Sequence, residues 1–192
     1  MIKADLIGSD NGSLCLWTIH KKKPIFTMPL AHGLDPPLKP DEVYSEENPE
    51  QWVPGEAQPR WITALATVSY SDLILSGSWD GEIRAWRVSE DKKRIENLGP
   101  VGVASQAAYE NSMAEVLVSE EETPGSIRGI INDLKVFERG ERGEHGLCIV
   151  VATGSEHRLG RWKRIRGKNG ALVIEVPKVQ LQKHKTKSKQ DA

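Results

Sequence analysis

Three stretches of this chain carry one pattern, and a repeat constrains a fold more tightly than composition does. They are 5-DLIGSDNGSLCLWTI-19, 72-DLILSGSWDGEIRAWRV-88 and 147-LCIVVATGSEHRLGRWKRI-165. In each, an apolar run leads to a Gly-Ser pair, then a turn, then a Trp. The pairs are Gly8-Ser9, Gly77-Ser78 and Gly154-Ser155. Trp17 and Trp86 follow their Ser by eight residues and Trp162 by seven. Spacing is conserved within the chain as well as order.

The local chemistry of each copy is that of a β-hairpin. Leu73, Ile74 and Leu75 make a short apolar strand, and Asp80-Gly81 supplies a tight turn because Gly tolerates positive φ. Residues 82–88, EIRAWRV, then alternate polar and apolar as a half-buried strand does. Upstream, 61-WITALATV-68 reads as another strand, and downstream 95-IENLGPVGV-103 reads as a fourth. Around the third copy, 126–137 takes the place of 61–68, and 171-ALVIEV-176 takes the place of the fourth strand. The first copy has only its following strand, 25–30.

Four antiparallel strands per unit, with Gly-Ser before a turn and a Trp after it, resemble the WD-repeat blade of a β-propeller. The fold class implied is all-β. The residue after each Trp is Thr18, Arg87 or Lys163 rather than Asp, and the Gly-His pair of the family survives only as His32-Gly33. Asp10 and Asp80 take the turn position where the family keeps a structural Asp. The resemblance implies that Asp80, His32, Ser76 and Trp86 form a buried hydrogen-bonded set, with Trp17 and Trp162 as the other blade tryptophans.

The Trp-to-Trp spacings are 69 and 76 residues, against roughly 40–45 for one such repeat. Insertions account for the excess. Residues 34–60 hold six Pro and seven acidic residues, a composition unable to build a core, and 104–125 are similar. The expected organisation is a three-stranded partial blade at 1–33, an acidic Pro-rich insert at 34–60 and a blade at 61–103. A second acidic insert follows at 104–125, then a blade at 126–178 and a basic tail at 179–192. Propellers close with about four to eight blades. The chain is therefore expected to be the C-terminal two to three blades of a seven-bladed propeller.

The third copy is more specific than the fold. Glu156-His157-Arg158-Leu159-Gly160-Arg161-Trp162, followed by Lys163-Arg164-Ile165, resembles the last blade of the U3 small nucleolar ribonucleoprotein WD-repeat family. Lys21-Lys22-Lys23-Pro24 leading to Ala31-His32-Gly33, the strand 128-RGIINDL-134, and the apolar strand near the C-terminus agree with it. That resemblance implies binding to the box B/C element of U3 small nucleolar RNA beside a kink-turn-binding protein. It also implies assembly with box C/D and small-subunit processome proteins during 18S rRNA maturation, in the nucleus and nucleolus. No reaction, cofactor, metal, membrane or small-molecule substrate belongs to that role.

The formal net charge is only −1, but basic residues are clustered. Residues 154–170 alone hold six Arg or Lys and one Glu. Propeller topology sorts loops by face. Asp10, Asp80, both inserts and His157-Arg158 are expected at one face. Lys21, Lys22 and Lys23, then Lys92, Lys93 and Arg94, then Arg164, Arg166 and Lys168 are expected at the other, with Arg161 and Lys163 flanking Trp162. Three basic loops in register suit phosphate contact, since Lys and Arg release counterions without reading sequence. The tail from Lys178 adds five Lys with little apolar content, as an arm for phosphate or an address.

Other classes find little support. No run of eighteen apolar residues occurs, which excludes a membrane-spanning helix. Cys15 and Cys148, each inside an apolar run, read as buried thiols. No Cys-x-x-Cys or His-x-x-x-His spacing points to a metal. Gly77-Ser78-Trp79-Asp80-Gly81 does not carry the Gly-x-Ser-x-Gly order of a nucleophile elbow, and a strand follows it. The remaining rival is a WD-repeat scaffold that binds proteins and no RNA, which fold alone does not separate from an RNA binder.

Overall fold

The computed structural model describes residues 4–35, 56–101, 129–164 and 169–178, and gives the backbone path alone at residues 4, 5 and 161–164. Most of the insert at 34–60, the insert at 104–125 and the tail at 179–192 lie outside those residues. The described chain is all-β. Strands β1 (Ala4–Gly8), β2 (Leu14–Thr18) and β3 (Phe26–Met28) form one antiparallel sheet in that order. Strands β4 (Leu34–Asp35) and β5 (Gln58–Pro59) pair at the two ends of the first insert. Strands β6 (Ile62–Thr67), β7 (Leu73–Ser78), β8 (Ile83–Val88) and β9 (Ile95–Pro100) form a complete four-stranded blade.

The core lies between blades. Side chains of successive strand residues point to opposite faces, so β7 buries Ile74 and Leu75 in two different clusters. Ile74 joins Leu14, Leu16, Trp86 and Ile95, which fill the space between the first and second sheets. Leu75 joins Ala64, Ile131, Leu134, Ile149 and Val151 between the second and third. A central strand covered on both faces reads as a continuous apolar run rather than an alternating one. That is why residues 73–75 are all apolar.

The repeated Gly of the Gly-Ser pair marks the closest inter-blade approach. A Cβ on Gly8 would stand 2.5 Å from Ile62 Cγ2, and one on Gly77 would overlap Ile131 Cγ2. Leu65 and Leu134 complete the same seat one blade apart. Thr63, at a bulge in β6, donates its hydroxyl to the Ile131 carbonyl at 2.5 Å and ties the two blades there.

The third sheet departs from the sequence expectation. It is built of β10 (Ile130–Glu138), β11 (Leu147–Gly154) and β14 (Gly170–Val176), with β14 paired directly to β11. Residues 171–176 were expected outermost, with the Trp162 strand between them and β11. Instead β12 (Glu156–His157) and β13 (Gly160–Arg164) form a separate hairpin between β11 and β14. The reason is apolar content. Ile174 and Val176 of β14 pack on the cluster of Leu134, Ile149 and Val151. Both are half-buried and gain a fraction of the about 1.5–3 kcal/mol of full burial, yet β13, GRWKR, has one apolar residue among three cations.

Candidate nucleic-acid interface

Buried polar groups need partners, and four of them around the second blade are linked in one chain. Trp86 Nε1–H donates to Ser76 Oγ at 2.7 Å, and Ser76 Oγ meets His32 Nε2 at 2.8 Å. His32 Nδ1 lies 3.2 Å from Asp80 Oδ2. The Asp80 carboxylate only accepts, so a neutral His32 carries its proton on Nδ1, and its Nε2 accepts from the Ser76 hydroxyl while the serine oxygen accepts from the indole. His32, Ser76, Asp80 and Trp86 are thus brought together from two separate segments, the turn after β3 and the β7–β8 hairpin.

Arg60 and Asp35 extend this set, and no repeat or spacing in the sequence marks either. Arg60 donates to Asp35 Oδ1 at 2.6 Å, to Asp80 Oδ2 at 3.3 Å and to the His32 carbonyl at 3.2 Å. It closes the base of the 34–60 insert onto the buried set. Asp35 and Asp80 hold the Arg60 guanidinium above its usual pKa, although burial acts in the opposite direction as the largest single influence. His32, Asp80 and Glu82 come close enough to suggest a cation site, but Arg60 and Arg84 already neutralise the two carboxylates. The first sheet builds no such chain among the described residues: Asp10 is exposed and Trp17 half-buried.

The β12–β13 hairpin is fixed at its base by two asparagines. A bulge in β10 turns Asn132 out of register, where its amide donates to the Glu156 carbonyl at 3.0 Å. The same side chain accepts the Arg158 backbone N–H at 2.8 Å. Asn169 accepts the Ser155 backbone N–H at 2.9 Å. Neither asparagine stands in the repeat pattern, so no sequence signal marked them.

Behind the hairpin lies an aromatic group. Trp61 and Trp79 stack with centroids 5.0 Å apart at 24°, and His157 meets Trp61 edge-on at 6.5 Å and 84°. Burial, then the neighbouring Arg158 charge, lowers the His157 pKa. Its Nδ1 accepts the Leu159 backbone N–H at 3.2 Å, as a neutral ring does. The folded His157 therefore takes up its proton at a lower pH than the unfolded one. Between those two values the unfolded chain binds more protons, so stability falls as pH drops below the ordinary His range near 6.5. Tryptophan emission across pH 7 to 5 is expected to report loosening of this cluster, and His157→Asn to flatten that dependence. A profile identical in the two proteins would contradict this.

The expected basic sites divide by end. Lys21, Lys22 and Lys23 are exposed in the β2–β3 turn, and Lys93 and Arg94 in the β8–β9 turn, at one end of the sheets. Lys92, in the same turn, is paired with Asp72. His157, Arg158, Arg161, Lys163 and Arg164 belong to the hairpin at the other end, beside the Asp10 and Asp80 turns. This corrects the expected face of Arg164. Once β14 takes the place beside β11, the whole connection from Gly154 to Gly170 starts and finishes at the Asp80 end. Arg166 and Lys168 fall in that connection and lie outside the described residues. Trp162 is on β13, which pairs with β12, and not on the third strand of the blade.

Antiparallel blades stacked face to face, with a His-Ser-Asp-Trp chain locking the middle one, define this as an arc of WD-repeat β-propeller blades. No protein-family model matches the chain. It is 41% identical over 171 residues to an uncharacterized WD repeat-containing protein of Schizosaccharomyces pombe, covering 88% of this chain and 28% of that protein. It is 33% identical over 162 residues to Ribosomal RNA-processing protein 9 of Saccharomyces cerevisiae, covering 82% and 24%. The solved structure of U3-55K superposes with a TM-score of 0.59 at 27% identity, covering 91% of this chain and 39% of that one. Homologues over most of the chain are thus WD-repeat proteins of the U3 small nucleolar ribonucleoprotein family. The chain spans less than a third of the length of the curated relatives it matches.

Proposed function

We propose that this chain is part of a non-catalytic U3 small nucleolar ribonucleoprotein component acting in rRNA processing within the small-subunit processome, in the nucleus and nucleolus. In this reading it binds U3 RNA around box B/C, beside a kink-turn-binding protein and other box C/D and processome proteins. Relatives named for rRNA processing and for interaction with U3 RNA support the assembly. The observation that carries RNA contact is the basic β12–β13 hairpin, clamped by Asn132 and Asn169 against the Trp61–Trp79–His157 group. Cations for phosphate next to rings for bases is the combination that single-stranded RNA recognition uses.

The three repeat serines favour a structural role. Ser78 Oγ donates to the Trp61 carbonyl at 2.6 Å, Ser9 Oγ to Asn11 Oδ1 at 2.5 Å, and Ser155 is held by Asn169. Each hydroxyl serves its own turn or blade rather than a reaction.

The test is crosslinking of the protein to bound RNA in cells, followed by sequencing. U3 fragments around box B/C are expected. Replacing Arg158 and Arg164 by Glu should reduce recovery about tenfold or more and lower the salt slope by about two phosphates. Recovery of protein partners with no U3 enrichment would favour the scaffold reading instead.

A further inference from the structure

A cavity of about 410 Å³ opens beside the hairpin, lined by Ser9, Asp10, Trp61, Asp133, Arg158 and Leu159 among others. Resting on the RNA reading above, we infer that this cavity seats one unstacked RNA base, and guanine in preference to the others. Its size falls within the about 300–1,000 Å³ usual for ligand sites. Trp61 enters it from a rigid mount. Trp79 stacks on the ring and the His157 edge abuts it. A ring already immobilised loses little further entropy when a base lies against it.

Charge sorts the two parts of a nucleotide. Asp10 and Asp133 reach the cavity from different sheets, and both are exposed residues. Carboxylates repel phosphate, so the backbone is kept out and the base is the part that enters. The phosphates pass instead toward Arg158 at the rim. An ionised carboxylate only accepts hydrogen bonds. Guanine offers it two adjacent donors, N1–H and the N2 amino group. Adenine and cytosine each offer one amino group and uracil one N3–H, in every case beside acceptors that a carboxylate opposes. Stacking alone tolerates every base, and the carboxylates supply the discrimination.

The experiment measures binding of the full chain to labelled RNA hexamers, r(AAAAAA), r(AAAGAA) and the same strand with inosine for guanosine, at one salt concentration. Guanosine is expected to bind about tenfold tighter than adenosine, the range of one good bidentate contact. Inosine, which lacks the N2 amino group, should forfeit most of that gain. Asp133→Asn, a change at an exposed position, should remove most of the guanosine preference among the hexamers. Trp61→Phe should reduce the quenching of tryptophan emission that accompanies binding. If all three hexamers bind equally, the guanine seat is overturned while the RNA reading stands. If Asp133→Asn tightens every hexamer by one factor, the carboxylate is only a background field and the seat is again overturned. If no hexamer binds, the seat and the RNA reading fall together.

Discussion

Ser76→Ala is expected to destabilise the protein by about 2–4 kcal/mol, far beyond the loss of one small side chain. The hydroxyl is fully buried and links two other buried groups. Without it the Trp86 indole N–H and His32 Nε2 both lose their partner in a dry interior. An unsatisfied buried polar group costs about 1–3 kcal/mol, and here one deletion leaves two. Ser69→Ala, at an exposed position, should stay within about 0.5 kcal/mol. Urea unfolding of the two variants decides the matter. Similar midpoints would mean that the His32–Ser76–Trp86 chain contributes no more than a solvent-exposed serine does.

The second large effect is expected where blades touch. Gly77→Ala adds one methyl group directly against Ile131 Cγ2, with Leu134 Cδ2 at 3.1 Å behind it. Replacing Gly by Ala normally stabilises by about 0.4–1 kcal/mol through the unfolded chain. Overpacking a rigid contact costs about 1–3 kcal/mol, so the steric term wins. Gly8→Ala meets Ile62 and Leu65 in the equivalent seat and should behave alike. Gly170 is the control, because nothing lies within 4 Å of the position its Cβ would take. Thermal unfolding is expected to show a drop for the first two variants and none for Gly170→Ala. A common response from all three would contradict close seating of the blades on the repeated Gly.

Legibility in the sequence followed the reach of each interaction. The hairpin of β7 and β8 was readable because apolar run, Asp-Gly turn and alternating strand are contiguous in residues 72–88. Gly81 takes φ of 77° and Asp80 Oδ1 accepts the Glu82 N–H at 2.9 Å, both local features of the turn. His32 and Asp80 lie 48 residues apart, yet the family resemblance pointed to their pairing. Arg60, Asn132 and Asn169 had no such marker. Each is a single polar residue whose partner is chosen by where distant backbone ends up.

The sequence by itself determined that this chain builds antiparallel sheets stacked as blades, where the β7–β8 turn falls, and which family the blades resemble. Repetition imposes those, since each copy carries its own strand, turn and Trp. Only the tertiary structure decided which segment lies beside β11. The Gly-Ser-to-Trp spacing made the Trp162 strand the candidate, but Ile174 and Val176 meet the apolar side of Leu134, Ile149 and Val151 across the sheet. That choice compares burial between two segments against residues elsewhere in the chain, which a local spacing does not encode. It moved the basic residues from Arg161 to Arg164 to the end that holds Trp61, Trp79 and His157, and so assembled the interface proposed for RNA.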